Sequence, residues 1–268
     1  MKSKKYKFET KSAINILKSK GIVILKDIFS KKKTQSFKKK LEKVYEIRTK
    51  NRGSVGTHKN QLLYNYFYED HSLLELIFHK KIDKILTKVL DNDYVLQSSN
   101  AQNRVLKNLK KRNYKNAYEI GGSWHTDSRY LGGKRLQKGF SYLVIIALDL
   151  FNKKNGPTKY VPYSENKLYK PPRRLVGKEE KKTKEIIMSE GSACIMDTGI
   201  WHKAGKSSAN SRWSIFSIYT GWFVKPYYDY QKLREKNIKK IYKKLLHHYC
   251  TPPKVGNKDR NTLSKYIK

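Results

Sequence analysis

Two histidines, an aspartate and an arginine carry most of what this sequence can do chemically. His125 and Asp127 stand two apart in Gly121-Gly122-Ser123-Trp124-His125-Thr126-Asp127. On an extended strand such residues point to the same side, so both can reach one metal ion. His202 follows in Asp197-Thr198-Gly199-Ile200-Trp201-His202, just after a strand signal, and Arg212 lies ten residues further on. Two imidazoles and a carboxylate on three corners of an octahedron form the facial triad of non-haem Fe(II) oxygenases. Its open face accepts a chelating co-substrate and dioxygen. His-x-Asp alone is common by chance; the later His and the Arg beyond it make the set far more specific. Most of the other histidines, His58, His71, His79, His247 and His248, lie beside lysines in polar loops or helices, where a solvated side chain is expected. Cys194 and Cys250 give neither a disulfide framework nor a zinc spacing.

The elements that must position these residues can be read from the patterning. Thr10 to Lys20 predicts a short helix with Ile14 and Leu17 on one face and Gly21 as its stop. Ile22 to Leu25 is a compact strand signal. Ser30 can cap a second helix, with Phe37, Leu41, Val44 and Ile47 as its apolar positions. After the polar loop 51–60, Asp70 can cap a third helix with Leu74, Ile77, Phe78, Ile82, Ile85 and Val89 facing inward. Beyond Asp91 the character changes to strands. These are Tyr94 to Ser98, a region near Val105, Trp124 to Tyr130, Phe140 to Leu150, Thr158 to Val161, Glu185 to Met188, Ser192 to Asp197 and Arg212 to Phe223. Lys107 to Asn116 and residues 164–184 read as polar loops, and Tyr228 to Tyr249 as a closing helix. Helices first, then roughly seven or eight short strands, then one helix argue for a sandwich or barrel rather than a doubly wound sheet.

The chain has 268 residues, enough for one large domain or two small ones, and no boundary or repeat divides it. Lys and Arg number 60 against 22 acids, a net charge of +38. Such a field attracts nucleic acids, anionic membranes and anionic metabolites. Only 11 of the 60 are Arg, however, and the lysines are spread along the whole chain. A dedicated nucleic-acid surface favours Arg for bidentate contacts, so compositional bias is the simpler reading, with a mild preference for an anionic substrate. The longest uncharged apolar run, Phe140 to Leu148, is too short for a membrane span. The N-terminus lacks the apolar stretch of a secretory signal. A reducing, cytoplasmic setting is the expectation.

Several blocks then fall in a recognisable order. LKSKGIVILKDIFSKKKTQSFKKKL stands near the start, GGSWHTDSRY in the middle, then YLVIIALDLF and NGPTKYVPYS, and EGSACIMDTGIWHKAGKSSANSRWSIFSIY last. With these the sequence resembles the phytanoyl-CoA dioxygenase-like (PhyH) branch of the Fe(II)/2-oxoglutarate oxygenases over most of its length. The resemblance implies an α+β, mainly β fold with a double-stranded β-helix (jelly-roll, cupin-like) core. Helices would flank it outside over about 1–92, the core would span about 93–225, and a C-terminal helix and tail would follow over about 226–268, all one domain. It implies Fe(II) held by His125, Asp127 and His202, with 2-oxoglutarate and O2 as co-substrates and Arg212 bound to the distal carboxylate of 2-oxoglutarate. The alternative for Arg212 is a salt bridge to a nearby Asp. Gln97, Asn103 and Thr158 are further candidates for co-substrate contact, and ordinary polar strand positions are the alternative for each. Arg129 and Tyr130, beside Gly132-Gly133, are candidates for a substrate-side loop. Trp124 and Trp201 flank the ligands, where packing is the default role.

The family often has Pro-Gly-Ser-His after the Asn-Gly-Pro strand, and this chain has Pro162-Tyr163-Ser164-Glu165. Substrate contacts there cannot be carried over. Halogenating relatives replace the triad carboxylate by a small residue, so Asp127 favours hydroxylation. The implied reaction is hydroxylation of an aliphatic C–H bond in a small molecule, with release of succinate and CO2. Two rivals remain at this point. One is an oxidative demethylase of nucleic acid, motivated by the charge, though no second Arg follows Arg212 in Trp213-Ser214-Ile215-Phe216-Ser217. The other is a non-catalytic jelly-roll binding module, against which the intact His125, Asp127, His202 and Arg212 set argues.

Overall fold

Gly21 makes the first turn of the chain. In the computed structural model, which describes residues 2–52, 61–104, 122–206 and 210–247, helix α1 (Lys2–Lys20) ends where Gly21 adopts a φ of 70°. Its N–H donates to the Leu17 carbonyl at 2.8 Å. A Cβ here would lie 2.7 Å from the carboxyl carbon of buried Glu165, so a glycine is needed for space as well as for conformation. Strand β1 (Ile22–Leu25) follows. Helix α2 (Lys31–Arg52) starts at Ser30, whose hydroxyl accepts from the Lys33 N–H at 3.3 Å. It buries Phe37, Leu41 and Val44, whereas Ile47, expected inward, is 38% exposed.

The third expected helix is in fact two elements. Asp70 caps as anticipated, accepting from the Ser72 N–H at 2.9 Å, but it opens a 3-10 helix, His71–Ile77. Phe78 and His79 are extended, and the His79 ring accepts from the Lys81 N–H at 3.2 Å to start α3 (Lys80–Leu90). Burial explains the break. Leu73, Leu74, Leu76 and Ile77 are all buried, a spread too wide for one amphipathic stripe.

The remaining strands are β2 (Gln61–Tyr64), β3 (Val95–Asn103), β4 (Tyr130–Leu131), β5 (Lys134–Arg135), β6 (Ser141–Ala147), β7 (Lys159–Tyr160), β8 (Lys184–Glu185), β9 (Ala193–Asp197), β10 (His202–Lys203) and β11 (Trp213–Thr220). A six-stranded antiparallel sheet runs β1-β9-β6-β11-β3-β2, a second runs β10-β7-β8, and β4 and β5 form a hairpin around Gly132-Gly133. Strand β6 is buried at every position, and its two faces serve two cores. Tyr142, Val144 and Ile146 pack with the helices; Leu143, Ile145 and Ala147 pack with Phe151, Ile186, Met188 and Ile200. The large sheet therefore lies between the helical layer and a second apolar cluster, which explains why β6 reads as an unbroken apolar run.

Three expectations change. Strand β2, anticipated by no pattern, covers the edge of β3. The segment from Trp124 to Tyr130 is not one strand: His125 makes a single bridge and Tyr130 begins β4. The closing helix is broken into Gln231–Arg234 and Lys240–Leu245. Residues 234–240 offer one apolar side chain, Ile238, so the chain turns there and brings Tyr242, Leu245 and Leu246 back to the core beside Tyr230 and Leu233. The strand expected near Val105, the loop Lys107 to Asn116 and most of loop 51–60 lie outside the described residues. Among those described, no helix is long and apolar enough to cross a membrane.

Candidate metal centre

The site is built on the last pairing of the small sheet. His125 and His202 face each other across an antiparallel bridge, each N–H donating to the other's carbonyl at 3.0 Å. Next to it, the N–H groups of Asp127 and Ser128 both donate to the Thr198 carbonyl, at 3.0 and 3.1 Å. The two segments that carry the ligands are thus tied to each other through backbone.

The three side chains converge on one point. One ligand atom from each lies within 4.8 Å of the others, and no other His, Cys, Asp and Glu cluster among the described residues does this. The Asp127 carboxylate is 3.5 Å from His202 Nε2 and 3.9 Å from His125 Nε2. In each histidine Nδ1 sits 2.9 Å from the carbonyl two residues back, Ser123 and Ile200 respectively. A carbonyl only accepts, so Nδ1 holds the proton and the Nε2 lone pair is presented to the centre, as a metal requires. The His202 side chain is buried while that of His125 is half exposed, so the cluster opens to one side.

The charges support one another. Burial works against the ionised Asp127, yet the two imidazoles hold its carboxyl below the usual carboxylate range. Burial pulls His202 down, but the Asp127 carboxylate more than offsets this and leaves it raised. Partial burial and the His202 charge hold His125 low. Carboxylate and neutral imidazole are the forms that bind a divalent cation; Asp127 and His125 are biased toward them, and His202 would give up a proton to the cation.

Arg212 ends the loop before β11 and is fully buried. Its Nη1 donates to the Gly156 carbonyl, and its guanidinium carbon lies 4.7 Å from the centre of the Phe151 ring. Nε and Nη2 are buried without a hydrogen-bond partner. Among the described residues no carboxylate lies within ion-pair distance of it. Asp149, the acid beside it in the fold, bonds instead to Lys38 and to the Trp213 N–H. Burial, with Arg104 alongside, pushes the guanidinium down to about 9, so it stays charged at neutral pH. A buried cation with two unmet donors is costly until an anion arrives.

The other candidates are placed as follows. Asn103 is buried at the end of β3; its Oδ1 accepts from the Arg212 N–H at 2.9 Å and its amide donates to Gln61 at 2.8 Å. Thr158 is buried two residues from Gly156. Gln97 occupies a bulge where the pairing of β3 with β11 slips, and its carbonyl accepts from the Tyr227 N–H at 3.0 Å. Arg129 is exposed, with its guanidinium 4.3 Å over the Tyr227 ring. The Tyr130 hydroxyl is 2.9 Å from Thr126 Oγ1. Trp201 packs with Val161 and Leu175 in a small apolar cluster against which Trp124 rests.

Three contributors escaped the sequence reading: Phe151, Gly156 and Tyr227. For Gly156 a signal existed in Asn155-Gly156-Pro157. Its φ is 66°, and a Cβ would come within 1.5 Å of the Lys206 carbonyl oxygen. Gly156→Ala is therefore expected to lower stability by about 2 kcal/mol or more and to displace the carbonyl that holds Arg212. Thermal unfolding measures the loss of stability.

With this geometry in view, comparison with known proteins is informative. The profile of the phytanoyl-CoA dioxygenase (PhyH) family matches residues 17–214. No curated protein matches the sequence. Among solved structures, HygX from Streptomyces hygroscopicus, with nickel and 2-oxoglutarate bound, superposes with a TM-score of 0.60 at 12% identity, covering 79% of this chain and 87% of that one. The epimerase SnoN, in complex with Fe3+, alpha ketoglutarate and nogalamycin RO, gives 0.58 at 12%, covering 80% and 84%. The non-heme monooxygenase ThoJ, in its apo form, gives 0.62 at 17%, covering 81% and 80%. At these identities the likeness is one of fold.

Proposed function

The chain belongs to the phytanoyl-CoA dioxygenase family, and from that premise we propose that it is a non-haem Fe(II)/2-oxoglutarate-dependent oxygenase. His125, Asp127 and His202 would hold the iron, and Arg212 the distal carboxylate of 2-oxoglutarate. Buried, unpaired Arg212 carries the reading. A triad of this kind suits many divalent metals, but a charged guanidinium with Nε and Nη2 unmet specifically suits a carboxylate. The same reading makes the two sheets the walls of a double-stranded β-helix.

When bound, the iron with its co-substrates would supply the oxidising power for cleaving an unactivated C–H bond. The chain's own residues do the rest. The carbonyls of Ser123 and Ile200 fix both imidazole tautomers, so each ligand offers a lone pair without reorienting. Phe151 and Gly156 hold the guanidinium in one place and exclude water from it. Asp127 occupies one metal position, which favours hydroxylation of an aliphatic carbon. The relatives in this fold include an epimerase and a monooxygenase, so the outcome must be set by how the substrate is held.

On the substrate side, Arg129 follows Asp127 by two residues, and its exposed guanidinium, held 4.3 Å over the Tyr227 ring, can face an anion. The substrate is then a small molecule, and an anionic one. A panel of carboxylate and phosphate compounds, screened for stimulation of 2-oxoglutarate decarboxylation, tests this. Arg129→Gln is expected to raise the half-saturating concentration of the stimulating compounds about tenfold or more. Stimulation by neutral compounds alone would refute an anion site at Arg129.

The decisive experiment is anaerobic titration of the Fe(II) protein with 2-oxoglutarate, watching for the weak visible charge-transfer band of the chelate. A band that saturates supports the assignment. Its absence from folded, metal-loaded protein would remove it.

A further inference from the structure

Asp149 has no place in the chemistry above, yet it touches both neighbours of Arg212. Its Oδ2 accepts from the Trp213 N–H at 2.8 Å and lies 3.0 Å from the Ser211 hydroxyl. Its N–H and that of Leu148 both donate to the Trp213 carbonyl, at 3.1 and 3.0 Å. From the other side Asn103 Oδ1 accepts from the Arg212 N–H at 2.9 Å, and the Arg104 N–H donates to the Arg212 carbonyl at 3.4 Å. The backbone over residues 211–213 is thus gripped by β3 on one flank and by Asp149 on the other. A guanidinium at the end of a long side chain is only as well placed as the backbone that carries it.

The remaining oxygen of Asp149 leads out of the sheet. Lys38 of α2 reaches it at 2.6 Å and also stands 3.9 Å from Glu190, which accepts from Thr34 of the same helix. Lys38 and Asp149 are both mostly buried, so the pair is little screened by solvent.

Resting on the oxygenase reading, we infer that Asp149, anchored by Lys38, is a positioning residue for Arg212, so that helix α2 sets the affinity for 2-oxoglutarate. Neither residue touches the co-substrate. Their effect is transmitted through the Ser211–Trp213 backbone, and it is separate from the metal ligands, which sit on the small sheet and its bridge.

The test is the 2-oxoglutarate titration of the Fe(II) chelate band in Lys38→Met, Lys38→Arg, Asp149→Ala and the double variant Lys38→Met/Asp149→Ala. Lys38→Met is expected to raise the dissociation constant about five- to tenfold, and Asp149→Ala about tenfold or more. Fe(II) affinity and kcat at saturating 2-oxoglutarate should stay within about twofold, and Lys38→Arg should bind like wild type. Because the two residues act through one link, the double variant should bind no worse than Asp149→Ala. A purely structural role would lower the unfolding temperature and leave the dissociation constant alone. That result, or a parallel loss of Fe(II) affinity, would overturn the inference. If Asp149→Ala does not fold, Lys38→Met decides by itself. A wild type without a band sinks the oxygenase reading; a normal wild-type band with unshifted variants sinks only the role of Asp149 and Lys38.

Discussion

Arg212→Ala is expected to weaken 2-oxoglutarate binding about a hundredfold while leaving the ligand-free protein no less stable. Truncating one partner of a buried, hydrogen-bonded charge pair costs about 2–5 kcal/mol, and 1.4 kcal/mol is tenfold. Arg212 is fully buried and faces no carboxylate among the described residues, so the whole of that loss should fall on the ligand complex. In the free protein the balance is different. The substitution removes the bond to Gly156 and the contact with Phe151, but it also removes a buried, unneutralised cation. Thermal unfolding with and without millimolar 2-oxoglutarate separates the two effects. Wild type should gain stability from the ligand and the variant should not. An Arg212→Ala protein that binds 2-oxoglutarate as tightly as wild type would show that the guanidinium serves packing instead.

His202→Ala should be the most damaging single change to turnover. His202 is the buried ligand of the three, its Nδ1 is fixed by Ile200, and it supplies half of the bridge that sets the position of His125. Losing it removes one donor and the charge partner closest to Asp127. Fe(II) affinity, measured in competition with a chromogenic chelator, is expected to fall about a hundredfold or more, with 2-oxoglutarate decarboxylation at background. The backbone bridge should survive, because it is made by N–H and carbonyl groups, so the circular dichroism spectrum should be unchanged. Retained iron affinity would move the metal site elsewhere.

The triad could be read from sequence because strand alternation turns a two-residue spacing into a shared direction, and because few residue types bind iron. Strand β6 was legible for a similar reason: it is buried on both faces, so its sequence is apolar throughout. The supports of the site were not legible. Asp149 follows an apolar strand and looks like an ordinary strand end; its task depends on Lys38, which arrives from a helix far away in sequence. Tyr227 is paired with Arg129 only by the return of the chain after β11. The break before α3 was hidden because His79 looks like a surface histidine, while its ring accepts a backbone hydrogen bond. Local pattern reports faces and caps, whereas these contacts are made by distant segments meeting.

The His125–His202 bridge has one more consequence. Two of the three candidate ligands ride on a single rung of backbone hydrogen bonds, and their rings are aimed by carbonyls of their own segments. None of these bonds involves the ion. With the rings aimed by the chain's own backbone, iron loading is expected to be docking rather than folding. Stripping the iron with a chelator should leave the ellipticity unchanged, and returning Fe(II) should restore turnover without a refolding lag. Protein made during iron scarcity would then wait intact, and the working fraction of the pool would follow the iron supply from moment to moment.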